Sequence, residues 1–388
     1  MKPLSSILVK PSGPDCNLNC AYCFYLDKAG LFPNEKVHRM SYDVLEEMIR
    51  QAMQQSPQQV SISWQGGEPT LMGLDFYKKA VELEQKYGNG KIVGNGFQTN
   101  GYLLNEEWAD FLAKWKFLVG LSIDGPQHIH DHYRVLRDGR PTWKRIQKNL
   151  KMLLKRGVEV NTLSCITSYS YKYAKDIYDY NKSMGIHWMQ FIPIVETDKN
   201  DPSKAADFSV TAEQFGEFLI NIFECWRKDF SPYGFPTTSV RHFESWFHRY
   251  VGLPAPECTL MPKCAPYVVV EHNGNIYGCD FFVDEPGYLG NIMKGQTLLG
   301  ALNSKRQTQF GAMKALLPAK CKACKWLKFC YGGCLKDRVK DPRDKGMNRF
   351  CKSFEMFFEH ADPFFRQMAE DWKKQNPNYM QDFAPPGM

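Results

Sequence analysis

The sequence predicts an α/β fold: a partial (β/α)6 barrel followed by a cysteine-rich C-terminal domain. Three observations carry this. Six short β-rich runs alternate with helical patterns through the first half of the 388 residues, and such alternation implies βαβ units and a parallel sheet. The residues that depart from ordinary strand chemistry cluster at the C-terminal ends of those runs, the face that carries chemistry in barrel folds. Eight of the thirteen cysteines lie between positions 258 and 351.

The strand runs are residues 6–10 (SILVK), 59–64 (QVSISW), 91–101, 117–126, 158–166 and 187–194. Helices are expected near 42–55 with Ser41 as N-cap, and near 74–87, 105–114, 142–156 and 171–184. Six units make a barrel open on one side. The unusual strand-end residues are Cys16 to Cys23, Gly66-Gly67-Glu68, Gln98-Thr99-Asn100, Ser122 with Asp124, and Gln190. Beyond residue 195 the pattern changes. A polar loop leads to "TAEQ", Thr211 to Gln214, a capping-box start for a helix to about 228. An aromatic-rich helix follows at roughly 238–250. Gly274, in "EHNGNIYGC", marks a tight hairpin. A helix over about 352–374 and a polar, proline-containing tail close the chain. The expected division is 1–235 for the barrel, 236–352 for a linker helix and the cysteine-rich domain, and 353–388 for the C-terminal helix and tail.

Composition narrows the function classes. No run approaches the ~18 consecutive apolar residues that span a bilayer, and the N-terminus lacks a signal-peptide layout, so a cytoplasmic protein without a membrane partner is expected. The net charge of +7 is modest, and basic residues are interspersed with acids, so no nucleic-acid partner is expected. In a reducing compartment, clustered cysteines point to metal rather than disulfides.

The segment "PDCNLNCAYCFY" places Cys16, Cys20 and Cys23 within eight positions. Closed structural sites use four ligands. Three cysteines in one loop leave a metal centre with an open position, as catalytic centres require. A zinc knuckle completed by a remote residue is the bland alternative, and His38 is the only nearby histidine. Cys258, Cys264, Cys279, Cys321, Cys324, Cys330, Cys334 and Cys351 suffice for two four-cysteine sites with none left over. Their spacing suits zinc and iron–sulfur clusters equally.

Cys16-x3-Cys20-x2-Cys23, with Tyr22 before the last cysteine, resembles the radical S-adenosylmethionine (SAM) superfamily. Gly66-Gly67-Glu68-Pro69 after the second strand resembles that superfamily's methionine-binding turn. The C-terminal spacing resembles the SPASM extension with its two auxiliary clusters. Through "CNLNCAYCFY", "WQGGEPTLMG", "QTNG", "LVGLSIDGP", "QFIPIVE" and "GNIYGCDFFV", residues from about 5 to 360 are most similar to the anaerobic sulfatase-maturating enzymes. The resemblance implies three 4Fe–4S clusters and SAM. Cys16, Cys20 and Cys23 would bind the SAM-cleaving cluster. Cys258, Cys264, Cys279 and Cys334 would hold the first auxiliary cluster, and Cys321, Cys324, Cys330 and Cys351 the second. Backbone groups of Gly66, Gly67 and Glu68 would bind the SAM amino group. Gln98, Asn100, Ser122 and Arg134 would contact its ribose or methionine part, Ile192 its adenine, and Tyr22 belongs to the same cofactor site. Asp280 matches the family's catalytic base. The implied reaction is oxidation of a Cys or Ser in a sulfatase polypeptide to formylglycine, with an electron donor such as flavodoxin or ferredoxin.

Bland readings stand beside these. Gly66-Gly67 and Asn100-Gly101 are also ordinary turn sequences, Ser122 and Asp124 also suit a cap, Arg134 also suits a surface ion pair, and Asp280 also suits backbone capping near a cluster. Cys165 and Cys225 read as small buried hydrophobes. Two rival functions remain: another SPASM-type enzyme forming thioether or carbon–carbon crosslinks in peptides, and a zinc-dependent binding module acting on RNA.

Overall fold

The computed structural model describes residues 1–231 and 234–377. Its parallel strands are β1 (Ser6–Lys10), β2 (Gln59–Trp64), β3 (Ile92–Thr99), β4 (Leu118–Ser122), β5 (Glu159–Ile166) and β6 (Trp188–Pro193). They pair in sequence order, all parallel. The connecting helices are α1 (Tyr42–Gln55), α2 (Leu74–Gly88), α3 (Glu106–Lys114), a single turn α4 (Gln127–His130), α5 (Trp143–Lys155) and α6 (Ala174–Ser183). Their N-caps follow the sequence: Ser41 accepts from the Val44 amide and Asn105 from the Trp108 amide.

Alternation along the strands divides the barrel wall. Ile7, Val9, Ile62, Trp64, Phe97, Val119, Leu121 and Phe191 face the helices and join Leu45, Ile49, Phe76, Ala80, Leu112 and Leu150 in the main core. The opposite face carries Ser61, Ser63, Gly94, Gly96, Gln98, Gly120, Ser122, Gln190 and Ile192, all partly or fully exposed. Small and polar side chains on this face leave the barrel interior open, where a bulky set would fill it.

The sheet is longer than the six strands expected. Among the described residues it has ten, in the order β10-β9-β8-β1-β2-β3-β4-β5-β6-β7. Strand β7 (Ser239–Val240) extends it beyond β6 in parallel. On the other edge β8 (Val268–Glu271) pairs in parallel with β1, Ile7 opposite Val268. β9 (Asn275–Tyr277) and β10 (Tyr288–Asn291) continue antiparallel. The Asn273-Gly274 turn between β8 and β9 is the hairpin foreseen, with Gly274 at φ 82°. The cysteine-rich region is therefore continuous with the barrel sheet. That continuity was not visible in the sequence, because a four-residue apolar strand carries no label naming its partner.

The capping box at Thr211 and Gln214 starts α7 (Ala212–Trp226), and α8 (Arg241–Tyr250) follows. The C-terminal helix Cys351–Gln375 packs against both. Phe357 stacks on Phe243 at 5.3 Å between ring centroids and lies 4.6 Å from Trp246 and 5.8 Å from Phe223. A helix assigned by sequence to a separate C-terminal unit thus shares the barrel's core; residues 378–388 of that unit lie outside the described residues. Among the described residues no helix is long and apolar enough to cross a membrane.

Phe357 is fully buried, so Phe357→Ala removes an aromatic ring from a core shared by three helices. A loss of about 3–5 kcal/mol is expected, read as a lower midpoint in anaerobic chemical denaturation.

Candidate active site

The strand ends of β1, β2 and β3 meet at the cysteine loop. Gly67 and Glu68 donate their backbone N–H groups to the carbonyls of Gly13 and Asp15, each at 2.8 Å. The approach is so close that a Cβ on Gly67 would overlap the Asp15 backbone oxygen. This is the physical reason for glycine at that position. Among the described residues no hydrogen bond is directed at the carbonyls of Gly66 and Gly67. The turn therefore offers acceptors, the group type an ammonium needs, while the amides of Gly67 and Glu68 are engaged by the loop.

Glu68 is fully buried. Its Oε1 accepts from the Thr70 amide (2.9 Å), Thr70 Oγ1 (2.7 Å) and Thr99 Oγ1 (2.7 Å), and its Oε2 from the Asn100 amide (2.8 Å). Burial pushes its carboxyl above the usual range, and those donors oppose the shift. Asn100 donates Nδ2 to Asn17 Oδ1 (2.8 Å) and to Cys16 Sγ (3.8 Å), and its Oδ1 accepts from the Tyr102 amide. Its side chain is an anchor of the cysteine loop.

The other wall of the loop is an ion pair. Arg134 donates Nε and Nη2 to both oxygens of Asp124 (2.8 and 3.0 Å), and Nη2 also reaches Cys165 Sγ at 3.3 Å. Tyr22 donates its hydroxyl to Asp124 Oδ2 (2.8 Å), and the guanidinium lies 5.5 Å from the Tyr22 ring centre. Asp124 and Arg134 are 3% and 6% exposed. Burial would push the Asp124 carboxyl up, but Arg134, with His130 and the Cys165 amide, holds it below the usual range. Arg134 is thus neither a surface residue nor a free cation facing the barrel interior; Asp124 occupies its fork. Gln98, Ser122 and Ile192 do lie on the open interior face.

Cys16, Cys20 and Cys23 sit in one cluster with Leu18 and Tyr22. Burial pushes the Cys16 thiol up to about 12 and Cys20 higher. Buried thiols become thiolates when a bound cation supplies the charge.

The C-terminal cysteines fall into two groups. Cys321, Cys324, Cys330 and Cys351 line one cavity, with Trp326, Asn348 and Phe354. Cys258 lies within electrostatic reach of Cys264, and Cys279 of Cys258 and Cys334. Lys314 senses Cys258, Cys264 and Cys334 together, and donates to the carbonyls of Cys258 (2.8 Å) and Thr259 (2.6 Å). A tetrahedral zinc site with Zn–S near 2.3 Å needs sulfurs roughly 3.8 Å apart. Among the described residues no three cysteine sulfurs lie within 4.8 Å of one another. That spread is wider than a single tetrahedral zinc ion would hold three thiolates.

Asp280 follows Cys279 and is 8% exposed. Tyr267 donates its hydroxyl to Asp280 Oδ1 at 3.1 Å, and Cys279 Sγ is 3.7 Å from the same oxygen. Sequence reasoning missed a neighbour. Lys10, 1% exposed, holds its Nζ 3.8 Å from the Tyr25 ring centre. Burial pushes its ammonium below the usual lysine range, opposed by Asp280, Glu271, Cys23 and Cys279. Lys10 therefore stands within reach of both the N-terminal loop and the Cys279–Asp280 segment. The missed signal was a lysine two positions from Leu8, on the face of β1 turned away from the main core.

A barrel strand end with an open three-cysteine loop, joined to two four-cysteine groups, defines a radical SAM enzyme with an iron–sulfur-binding C-terminal domain. Family models agree: the radical SAM superfamily matches residues 11–180 and the SPASM iron–sulfur cluster-binding domain residues 263–325. Relatives narrow the class. The serine-type anaerobic sulfatase-maturating enzyme of Bacteroides thetaiotaomicron is 38% identical over 96% of this chain and 93% of its own length. The cysteine-type enzyme of Clostridium perfringens is 35% identical over 96% of this chain and 100% of its own. A solved structure described as native anSMEcpe with bound AdoMet and Cp18Cys peptide superposes with TM-score 0.86 at 32% identity, covering 96% of this chain and 100% of that one. The chain belongs to the anaerobic sulfatase-maturating enzymes.

Asp124→Ala leaves the Arg134 guanidinium buried without its partner. Breaking such a pair costs about 3–5 kcal/mol. Lower stability by anaerobic thermal unfolding is expected, and Arg134→Ala in the same background should restore part of the loss.

Proposed function

We propose that this enzyme oxidises a Cys or Ser of a sulfatase polypeptide to Cα-formylglycine. The observation that carries the reading is Asp280: a buried carboxylate that directly follows Cys279, lies 3.7 Å from its sulfur and accepts the Tyr267 hydroxyl. The donor set of eleven cysteines, with the matches to the radical SAM and SPASM families, supports three 4Fe–4S clusters. Cys16, Cys20 and Cys23 would hold the first, Cys258, Cys264, Cys279 and Cys334 the second, and Cys321, Cys324, Cys330 and Cys351 the third. When bound, the reduced first cluster and SAM supply a 5′-deoxyadenosyl radical, the hydrogen-abstracting agent.

The chain's own residues do the rest. Asp280 accepts the substrate thiol or hydroxyl proton at a carboxylate oxygen, and the Tyr267 hydroxyl bond orients that carboxylate. Lys10 sets a buried amine where the carboxylate and thiolates gather. The carbonyls of Gly66 and Gly67 are acceptors for the SAM amino group, and Gln98, Ser122 and Ile192 line the open interior that SAM occupies. Glu68, Asn100, Tyr22 and Arg134 act on the cofactor site by fixing its walls. The small interior side chains leave room for an extended peptide. A flavodoxin or ferredoxin as reductant, a cytoplasmic location, and the functional division into 1–235, 236–352 and 353–388 complete the proposal.

Anaerobic incubation with SAM, reductant and a sulfatase-motif peptide, followed by mass spectrometry, tests the assignment. The expected product is the peptide aldehyde; a crosslinked peptide would replace this reading with the rival one. Reconstituted protein should carry about twelve irons, and replacing Cys16, Cys20 and Cys23 together should remove about four of them and abolish SAM cleavage.

Asp280→Asn keeps the shape and removes the base. It should still form 5′-deoxyadenosine, while the aldehyde falls at least about 10²-fold, the scale of general-base assistance. Equal loss of iron and of both products would instead assign Asp280 to cluster support.

A further inference from the structure

The reaction as described leaves one set of converging donors unused. Glu35, His38 and His272 each offer a ligand atom within 4.8 Å of the others, and no other trio of His, Cys, Asp or Glu converges so closely among the described residues. They come from distant points: the segment after the cysteine loop and the β8–β9 hairpin. His38 and His272 are 3% and 2% exposed, and Glu35 reaches inward from the surface.

Each imidazole is backed by a carboxylate. His38 Nδ1 lies 2.7 Å from Asp15 Oδ1, and Asp15 is also held by Arg39 at 2.6 Å. His272 Nδ1 lies 3.4 Å from Glu271 Oε2, while its Nε2 meets Glu35 Oε2 at 2.8 Å. His38 Nε2 is buried and has no partner. A buried nitrogen left without a partner is unfavourable, so the arrangement is incomplete as two simple ion pairs. The rings stand edge to face at 5.0 Å, and Phe32 packs edge-on to both, at 5.5 and 4.7 Å. Gly13 keeps the space between them open: a Cβ there would come within 2.8 Å of both His272 Nδ1 and His38 Cβ.

We propose that Glu35, His38 and His272 bind one zinc-class divalent cation through two imidazole nitrogens and a carboxylate. Imidazole with carboxylate, without thiolate, is a donor set of zinc and its transition-metal neighbours, whereas calcium and magnesium prefer oxygen alone. Carboxylates behind ligating histidines fix ring orientation and raise basicity, and Asp15 and Glu271 stand in that position here. The cation clamps the active site from behind. Asp15 precedes Cys16, and its backbone oxygen accepts the Glu68 amide. Glu271 accepts the Tyr25 hydroxyl and ends the strand that leads to Cys279. One ion thereby ties the cysteine loop to the hairpin carrying Asp280.

The test uses anaerobically assembled holoprotein given one equivalent of zinc chloride and desalted. Zinc and iron are counted on the same sample, and a zinc-edge X-ray absorption spectrum reads the ligands. About one retained zinc per chain, unchanged iron, and a nitrogen/oxygen shell near about 2.0 Å are expected. His38→Gln, His272→Gln and the surface-reaching Glu35→Gln should each lower zinc retention at least about tenfold with iron unchanged. No retained zinc, a sulfur shell near about 2.3 Å, or equal retention in folded His272→Gln and Glu35→Gln would overturn the site. The wild-type spectrum decides even where a histidine variant folds poorly.

Discussion

The Glu68 carboxylate is the constraint on which the catalytic end of the barrel rests. It has no solvent contact and takes donors from Thr70, Thr99 and Asn100. An anion in that position is tolerable only because those donors replace water. Satisfying it pins the turn after β2 to the end of β3. The same turn, through the amides of Gly67 and Glu68, pins the chain at residues 13–15. Three strand ends are thus held in one geometry by one buried group, and the loop of Cys16, Cys20 and Cys23 hangs from that junction. Asn100 extends the grip to Cys16 itself.

The second constraint is the pairing of β8 with β1. Cysteines far apart in sequence reach one another because the C-terminal region enters the barrel's own sheet. This addition places Glu271 at the strand end opposite Lys10 and carries the chain, one hairpin later, to Cys279 and Asp280. Phe24 packs against Phe281 at 4.8 Å between ring centres, so the segment just after Cys23 and the segment just after Asp280 share an apolar contact. The Asp280 segment and the cysteine loop are thereby held at a fixed separation, which reacting groups need if one bond is to be chosen. A continuous sheet provides that stiffness better than a flexible interdomain contact.

Charge is arranged around these joints. Arg134 and Asp124 neutralise each other beneath Tyr22, next to Cys20 and Cys165. Lys314, fully buried, answers three cysteines of one group. Lys10 answers cysteines of two groups and a carboxylate. Metal–thiolate centres carry net negative charge, and buried cations near them lower the cost of that charge in a medium poor in water.

The sequence by itself determined the local features. Period-2 and helical patterning located β1 to β6 and the longer helices between them, though not the single turn α4, because each such signal lies within a dozen residues. Ser41, Thr211 with Gln214, and Gly274 are local devices that act through their own backbone, and the structure uses each as expected. Cysteine spacing, with the motifs around Gly66 and Asp280, was enough to point to the family. The tertiary structure alone decided the rest. It decided that β8 joins β1, that the C-terminal helix belongs to the barrel's core, and that Lys10 faces Tyr25. It also decided that Arg134 is engaged by Asp124, and that Glu35, His38 and His272 converge. The contacts that decide these range from ten positions apart, Asp124 with Arg134, to more than two hundred, Glu35 with His272. Such contacts arise from the burial of whole faces, and no single stretch of sequence states which faces meet.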